Sequence, residues 1–85
     1  MDRSDKSILF DYYGSLLSDK QKDCYDLYYN EDLSLSEIAE LNGITRQSAW
    51  DTIRHAEGKL VEFEEKTGLV ARIKELEAEL NKNGV

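Results

Sequence analysis

The segment "SLSEIAELNGITRQSAWDTIRHAEGKL", Ser34 to Leu60, leaves this chain few folds to choose from. Ser34 followed three residues later by Glu37 is a capping box, the start signal of a helix. That helix, read as residues 35–42, is expected to turn Leu35, Ile38, Ala39 and Leu41 inward. Asn42-Gly43 ends it, because glycine takes the left-handed conformation that closes a helix without steric cost. Ile44 plugs the turn, and Thr45 caps a second helix that begins at Arg46. Small Ala39 at the crossing, Gly43 at the turn and an internal core of Ile38, Ile44, Ala49 and Ile53 together make a helix-turn-helix.

The rest of the chain reads as helix too. Proline is absent from the 85 residues, glycines stand singly, and β-branched runs are few. "SDKSILFDYYGSLL" sets Leu9, Tyr12, Tyr13, Leu16 and Leu17 at helical spacing, predicting a helix over about 4–17 with Ser4 or Asp5 as its cap. Gly14 inside it weakens that helix unless another group comes close there. Ser18 with Gln21 is a second capping box and opens a helix over about 19–30, with Cys24, Leu27 and Tyr28 along one face. The helix begun at Arg46 carries a stripe at Ala49, Ile53, Ala56, Leu60 and Phe63, and Gly68 is its expected stop. Leu69, Ile73, Leu76 and Leu80 then form a 4-3-4 stripe on a last helix over about 69–82. The expected organisation is a domain over 1–68 and a C-terminal helix over 69–85, the latter too short to be stable alone.

Several function classes receive no support. Cys24 is the lone cysteine and His55 the lone histidine, so neither a disulfide nor a zinc cluster is expected, and Cys24 reads as a small buried apolar residue. No nucleophile stands at a recognisable spacing from a base, and no glycine-rich phosphate loop or metal-ligand cluster is present, so neither enzyme activity nor a cofactor is expected. "MDRSDKSILF" lacks the apolar stretch of a signal peptide or membrane span, which predicts a cytoplasmic protein with no membrane insertion.

Charge sets the functional question. The formal net charge is -7, which opposes the approach of any polyanion. The charge is uneven, however. Residues 1–42 hold 4 basic and 10 acidic side chains and residues 61–85 hold 4 and 6, whereas residues 43–60 hold 3 basic and 2 acidic. Repulsion is therefore least where the second helix of the motif would enter a groove. Its candidate nucleic-acid residues are Thr45, Arg46, Gln47, Trp50, Asp51, Arg54 and Lys59. Arg54 suits a guanine edge or a phosphate, Gln47 an adenine, and the free amides near Arg46 a phosphate. Asp51 has two readings: an acceptor for a cytosine amino group, or a partner of Arg54 or His55 along the helix. Trp50 also reads two ways, as an exposed hot spot or as cover for the seam with the first helix, and its area favours cover. The tyrosines at 12, 13, 25, 28 and 29 sit at helical spacing among leucines, which favours core packing over base stacking.

The stretch from "LFDYYGSLL" through "DLYYNEDLSLSEIAE" to "EEKTGLV" resembles the YlxM family of small bacterial helix-turn-helix proteins, over about Ser7 to Ile73. The resemblance implies an all-α fold of sigma factor region 4 type with a C-terminal helical extension. It also implies a role in the signal recognition particle pathway. Trp50 stands where relatives carry tyrosine, and His55 where they carry a basic residue. DNA is the expected partner and RNA the second. A contending expectation is an adaptor that offers its acidic first two helices to the particle's GTPase or its receptor. The stripe Leu69, Ile73, Leu76 and Leu80 predicts a homodimer, since an exposed aliphatic row is unusual on so small a monomer. The competing arrangement folds that stripe back onto Leu60 and Phe63.

Overall fold

The computed structural model describes residues 3–83, with side chains described over 6–82. Five α-helices follow one another: α1 (Arg3–Tyr13), α2 (Asp19–Tyr29), α3 (Leu35–Asn42), α4 (Arg46–Thr67) and α5 (Leu69–Asn83). A short 3-10 turn, Gly14–Leu16, joins α1 to the connection before α2. The expected cap at Ser4 or Asp5 lies outside the described side chains.

Local chemistry sets the boundaries. Ser18 Oγ accepts from Gln21 N at 3.2 Å while Gln21 Oε1 accepts from Ser18 N at 3.1 Å, and the Ser34–Glu37 pair repeats this with both bonds at 3.1 Å. Thr45 Oγ1 accepts from Ser48 N at 3.0 Å and starts α4. Gly43 and Gly68 close α3 and α4 in the left-handed region, at φ 63 and φ 62. The Ile44 amide reaches back to the Ala39 carbonyl at 3.0 Å, which completes the turn of the helix-turn-helix.

The core is built around α4. Ala49, Ile53, Ala56 and Leu60 are fully buried along one face and meet Cys24 and Tyr25 of α2, Ile38 of α3 and, nearer the surface, Leu9, Tyr13 and Leu17. Cys24 is buried and free, as its composition context suggests. The Phe10 ring stacks on Tyr25 at 5.2 Å between centroids, and Tyr25 meets Tyr29 at 4.7 Å. Burial, aided by the charge of Glu57, pushes the Tyr25 hydroxyl well above its usual value, and it donates to the Lys6 carbonyl at 3.3 Å.

Three inward assignments differ from the expectation. Tyr12 is 49% exposed because Leu9 and Tyr13 define the buried face of α1, and Leu16 is 62% exposed because α1 ends at Tyr13 and the tighter 3-10 turn rotates it outward while Leu17 drops into the core. Gly14 opens that turn, and the Phe10 ring packs against it so closely that an added Cβ would lie 3.3 Å from the ring. Leu41 is 68% exposed, since Ile38 and Ala39 define the buried face of α3. Asn42 takes the neighbouring place and donates its side-chain amide to the Ile38 carbonyl at 2.9 Å. On α5 the buried residue is Val70, which stands outside the 4-3-4 stripe. Leu69, Leu76 and Leu80 are exposed and Ile73 is half-buried.

Two polar clusters hold α4 against α1. Lys6 Nζ lies 3.1 Å from Glu57 Oε1 and donates to Tyr29 Oη at 3.2 Å, while Tyr29 donates to Glu57 Oε2 at 3.3 Å. The bond to Tyr29, with Glu57 beside it, holds the Lys6 ammonium above its ordinary value against the opposing effect of burial. At the other end of α4, Tyr13 Oη donates to Glu64 Oε1 at 2.6 Å, and Glu64 in turn accepts from the Val70 and Ala71 amides at 3.0 Å each. A carboxylate from α4 thus caps α5.

Candidate nucleic-acid interface

The face of α4 turned away from the core follows from its own buried stripe. With Ala49, Ile53, Ala56 and Leu60 inward, the helical period turns Gln47, Asp51, Arg54 and Gly58 to solvent, and all four are exposed. Thr45 and Arg46 are exposed at its start. Thr45 is occupied as the cap, so its hydroxyl oxygen already accepts from the chain. Its single bond goes to Ser48, and the Arg46 and Gln47 amides at the first turn have no helical acceptor, which favours an anion there.

Arg46 and Arg54 carry the positive charge of this face. Among the described residues neither takes part in an ion pair, whereas Lys6, Lys66 and Arg72 are engaged with Glu57, Glu62 and Glu75. Asp51 is paired, but not with Arg54 or His55. It accepts from Gln47 Nε2 at 2.9 Å, one helical turn back. Gln47 and Asp51 therefore act as one hydrogen-bonded unit, which damps the charge of Asp51 towards an approaching phosphate.

Trp50 covers a different seam from the expected one. Its ring meets Tyr28 of α2 at 5.9 Å and 63°. The reason is its angular place on α4, on the side where α2 and α3 pack. Trp50, Arg46 and Gln47 then line one open groove together with Tyr28 and Leu35. Tyr28 and Leu35 read as packing residues in the sequence, and their place beside Trp50 was not legible there, because nothing local to "YDLYYN" or to the start of α3 links either residue to position 50. Arg54 borders a second groove with Glu57, Gly58, Val61, Glu62 and Glu65, where the character of α4 turns acidic. Lys59 is exposed but lines neither groove, and it lies roughly 20 Å along the helix from Arg46. Its charge helps hold the Glu62 carboxyl below its ordinary value, after the larger effect of the hydrogen bond and charge from Lys66.

Among the described residues no group of three or more His, Cys, Asp or Glu side chains could hold a metal ion, and no helix is long and apolar enough to cross a membrane.

Comparison with known proteins finds a match to the family model UPF0122, "Putative helix-turn-helix protein, YlxM / p13 like", over residues 1–83. A UPF0122 protein of Thermoanaerobacter sp. (strain X514) is 49% identical over 76 residues, covering 89% of this chain and 65% of that protein. One of Desulforamulus reducens is 53% identical over 66 residues, covering 78% of this chain and 56% of that protein. One of Clostridium perfringens (strain SM101 / Type A) is 47% identical over 88 residues, covering 95% and 79%. The chain thus spans less than two thirds of the first two relatives, which are longer.

Proposed function

The chain belongs to the UPF0122 family of YlxM / p13-like helix-turn-helix proteins, and from that premise we propose that it binds nucleic acid, DNA first, through the free face of α4. The observation that carries this reading is the pair Arg46 and Arg54, exposed on that face and, among the described residues, outside any ion pair. Thr45 would order the helix start, Arg46 and Arg54 would meet phosphate or base edges, Gln47 with Asp51 would present one donor-acceptor unit, and Lys59 would add a distal phosphate contact. The role that follows is regulatory, in the cytoplasm, and by resemblance within the signal recognition particle pathway.

A gel-shift series with random DNA and RNA at rising salt tests it. With three cationic contacts, log affinity should fall against log salt with a slope of about -3 on duplex DNA. Arg54→Ala should weaken binding. A folded protein that retards neither library at low salt would sink the proposal.

One feature favours a second reading. Residues 1–42, which hold α1 to α3, carry 10 acidic side chains against 4 basic, a surface that steers cationic partners and suits an adaptor for the particle's GTPase or its receptor. A pull-down with and without nuclease separates the two, since an adaptor keeps its partner after nuclease and a nucleic-acid binder loses it.

We further propose that 69–85 serves as a dimerisation segment for the domain over 1–68. Leu69, Leu76 and Leu80 are exposed in a row with half-buried Ile73 between them, and two joined copies would read two half-sites.

A further inference from the structure

Where the start of α4 meets the start of α3 and the end of α2, the chain forms an open groove of about 540 Å³ lined by Tyr28, Leu35, Arg46, Gln47 and Trp50. This volume lies in the range of small-ligand sites. Its wall is aromatic. The Tyr28 and Trp50 rings meet edge to face, at 63°, and Tyr28 also meets Tyr29 edge to face at 5.0 Å, so Trp50 supplies the main π surface of the groove that both half-buried side chains border. Leu35 adds a half-buried apolar side chain. At the rim stands the Arg46 guanidinium, exposed and, among the described residues, without an ion-pair partner. Gln47 spends its side-chain nitrogen on Asp51 and keeps its amide oxygen as an acceptor.

A π surface with an apolar neighbour, one uncommitted guanidinium and one amide acceptor selects a flat ring that carries an anion beside it. A nucleobase with its own phosphate meets that description. A base inside a duplex does not, because both of its faces are already stacked and it must leave the helix before a protein ring can reach it. The charge balance points the same way. At a net charge of -7 the chain draws little energy from a long phosphate track, so affinity has to come from a contact that does not scale with phosphate count. Base-on-aromatic stacking is such a contact, and it tolerates sequence because every base has a π face.

We infer that the nucleic acid taken by this protein carries an unpaired base, which docks in the groove against Trp50 and Tyr28 with its phosphate on Arg46. This rests on the reading of α4 as a nucleic-acid face and narrows its ligand from a uniform duplex to a strand with a base free to unstack.

The chain has one tryptophan, so the site reports on itself. The full chain is titrated with end-labelled single strands of about twelve nucleotides, as DNA and as RNA, and with the blunt duplex of the same sequence, within the site sizes known for stacking proteins. Tryptophan emission and label anisotropy are both followed. The single strand should quench Trp50 and bind more tightly than the duplex. Trp50→Leu should weaken single-strand binding by roughly fivefold to a hundredfold with its helical circular dichroism retained, while Trp50→Phe, which keeps a π face, should lose far less. Arg46→Ala should lower the salt slope by about one. A preference between the two strands names the sugar, and either one supports the base site. Binding that leaves Trp50 emission unchanged and survives Trp50→Leu, or a duplex bound as tightly as the strand, overturns this inference and leaves the α4 reading standing. No anisotropy change with any of the three at low salt, from a folded protein, overturns both.

Discussion

Tyr13 Oη and Glu64 Oε1, 51 residues apart in sequence, lie 2.6 Å from one another and tie α1 to the elbow between α4 and α5. The same hydroxyl is 2.6 Å from Thr67 Oγ1, so it can donate to the carboxylate while accepting from the threonine. Burial acts to raise the Glu64 carboxyl, yet the bonds from Tyr13, Val70 and Ala71 prevail and hold it below its ordinary value of 4.5. A carboxyl lowered on folding contributes stability above that ordinary value, and the contribution is lost as pH falls through the folded value. Tyr13→Phe should therefore lower Tm by several degrees at neutral pH and flatten the stability loss below pH 4.5, measured by urea unfolding across pH. The Glu62 carboxyl, lowered mainly by Lys66, is common to both proteins and cancels in the comparison. An unchanged acid limb in Tyr13→Phe would show that the bond does not govern Glu64.

Gly43 closes α3 at φ 63, and an added Cβ there would meet nothing within 4 Å. The penalty of Gly43→Ala is then backbone strain alone, about 1–2 kcal/mol, and Gly43→Asn should recover part of it. Urea midpoints of the two variants check this. Equal midpoints for Ala and wild type would remove the left-handed turn from the account.

Gly58 provides the contrast. It sits inside α4, its backbone is not in the left-handed region, and its Cβ position is equally open. Gly58→Ala should stabilise the helix by up to about 1 kcal/mol through propensity and raise Tm. A fall in Tm would mean that the space beside Gly58 is filled in solution.

Leu76 is 42% exposed on α5. Leu76→Glu should convert a dimer into a folded monomer with its helical signal and Tm largely kept, as read by sedimentation and circular dichroism. A wild-type mass of one chain at tens of micromolar would end the dimer proposal. Unfolding of the variant would instead mean that Leu76 supports the fold of its own chain.

What the sequence by itself determined are the features decided within one helical turn. Ser18 with Gln21, Ser34 with Glu37, Thr45, Gly43 and Gly68 set the boundaries of α2, α3 and α4 through bonds spanning three to five residues, and the stripe from Ala49 to Leu60 named the buried face of the longest helix. Because that face was legible, so was the opposite one, with Arg46, Gln47, Asp51 and Arg54. Tertiary structure decided what meets across helices. Trp50 turned to Tyr28, Gln47 engaged Asp51, Val70 took the buried place on α5, and the 3-10 turn at Gly14 put Leu16 outside. Gln47–Asp51 is a local pair that competed with equally local alternatives at Arg54 and His55, and only side-chain geometry chose among them. For the others the reason is that helical periodicity gives a residue's direction about its own axis, whereas its neighbour depends on how distant axes cross. The Tyr13–Glu64 bond is the extreme case, since no pattern within either helix carries information about the other's position.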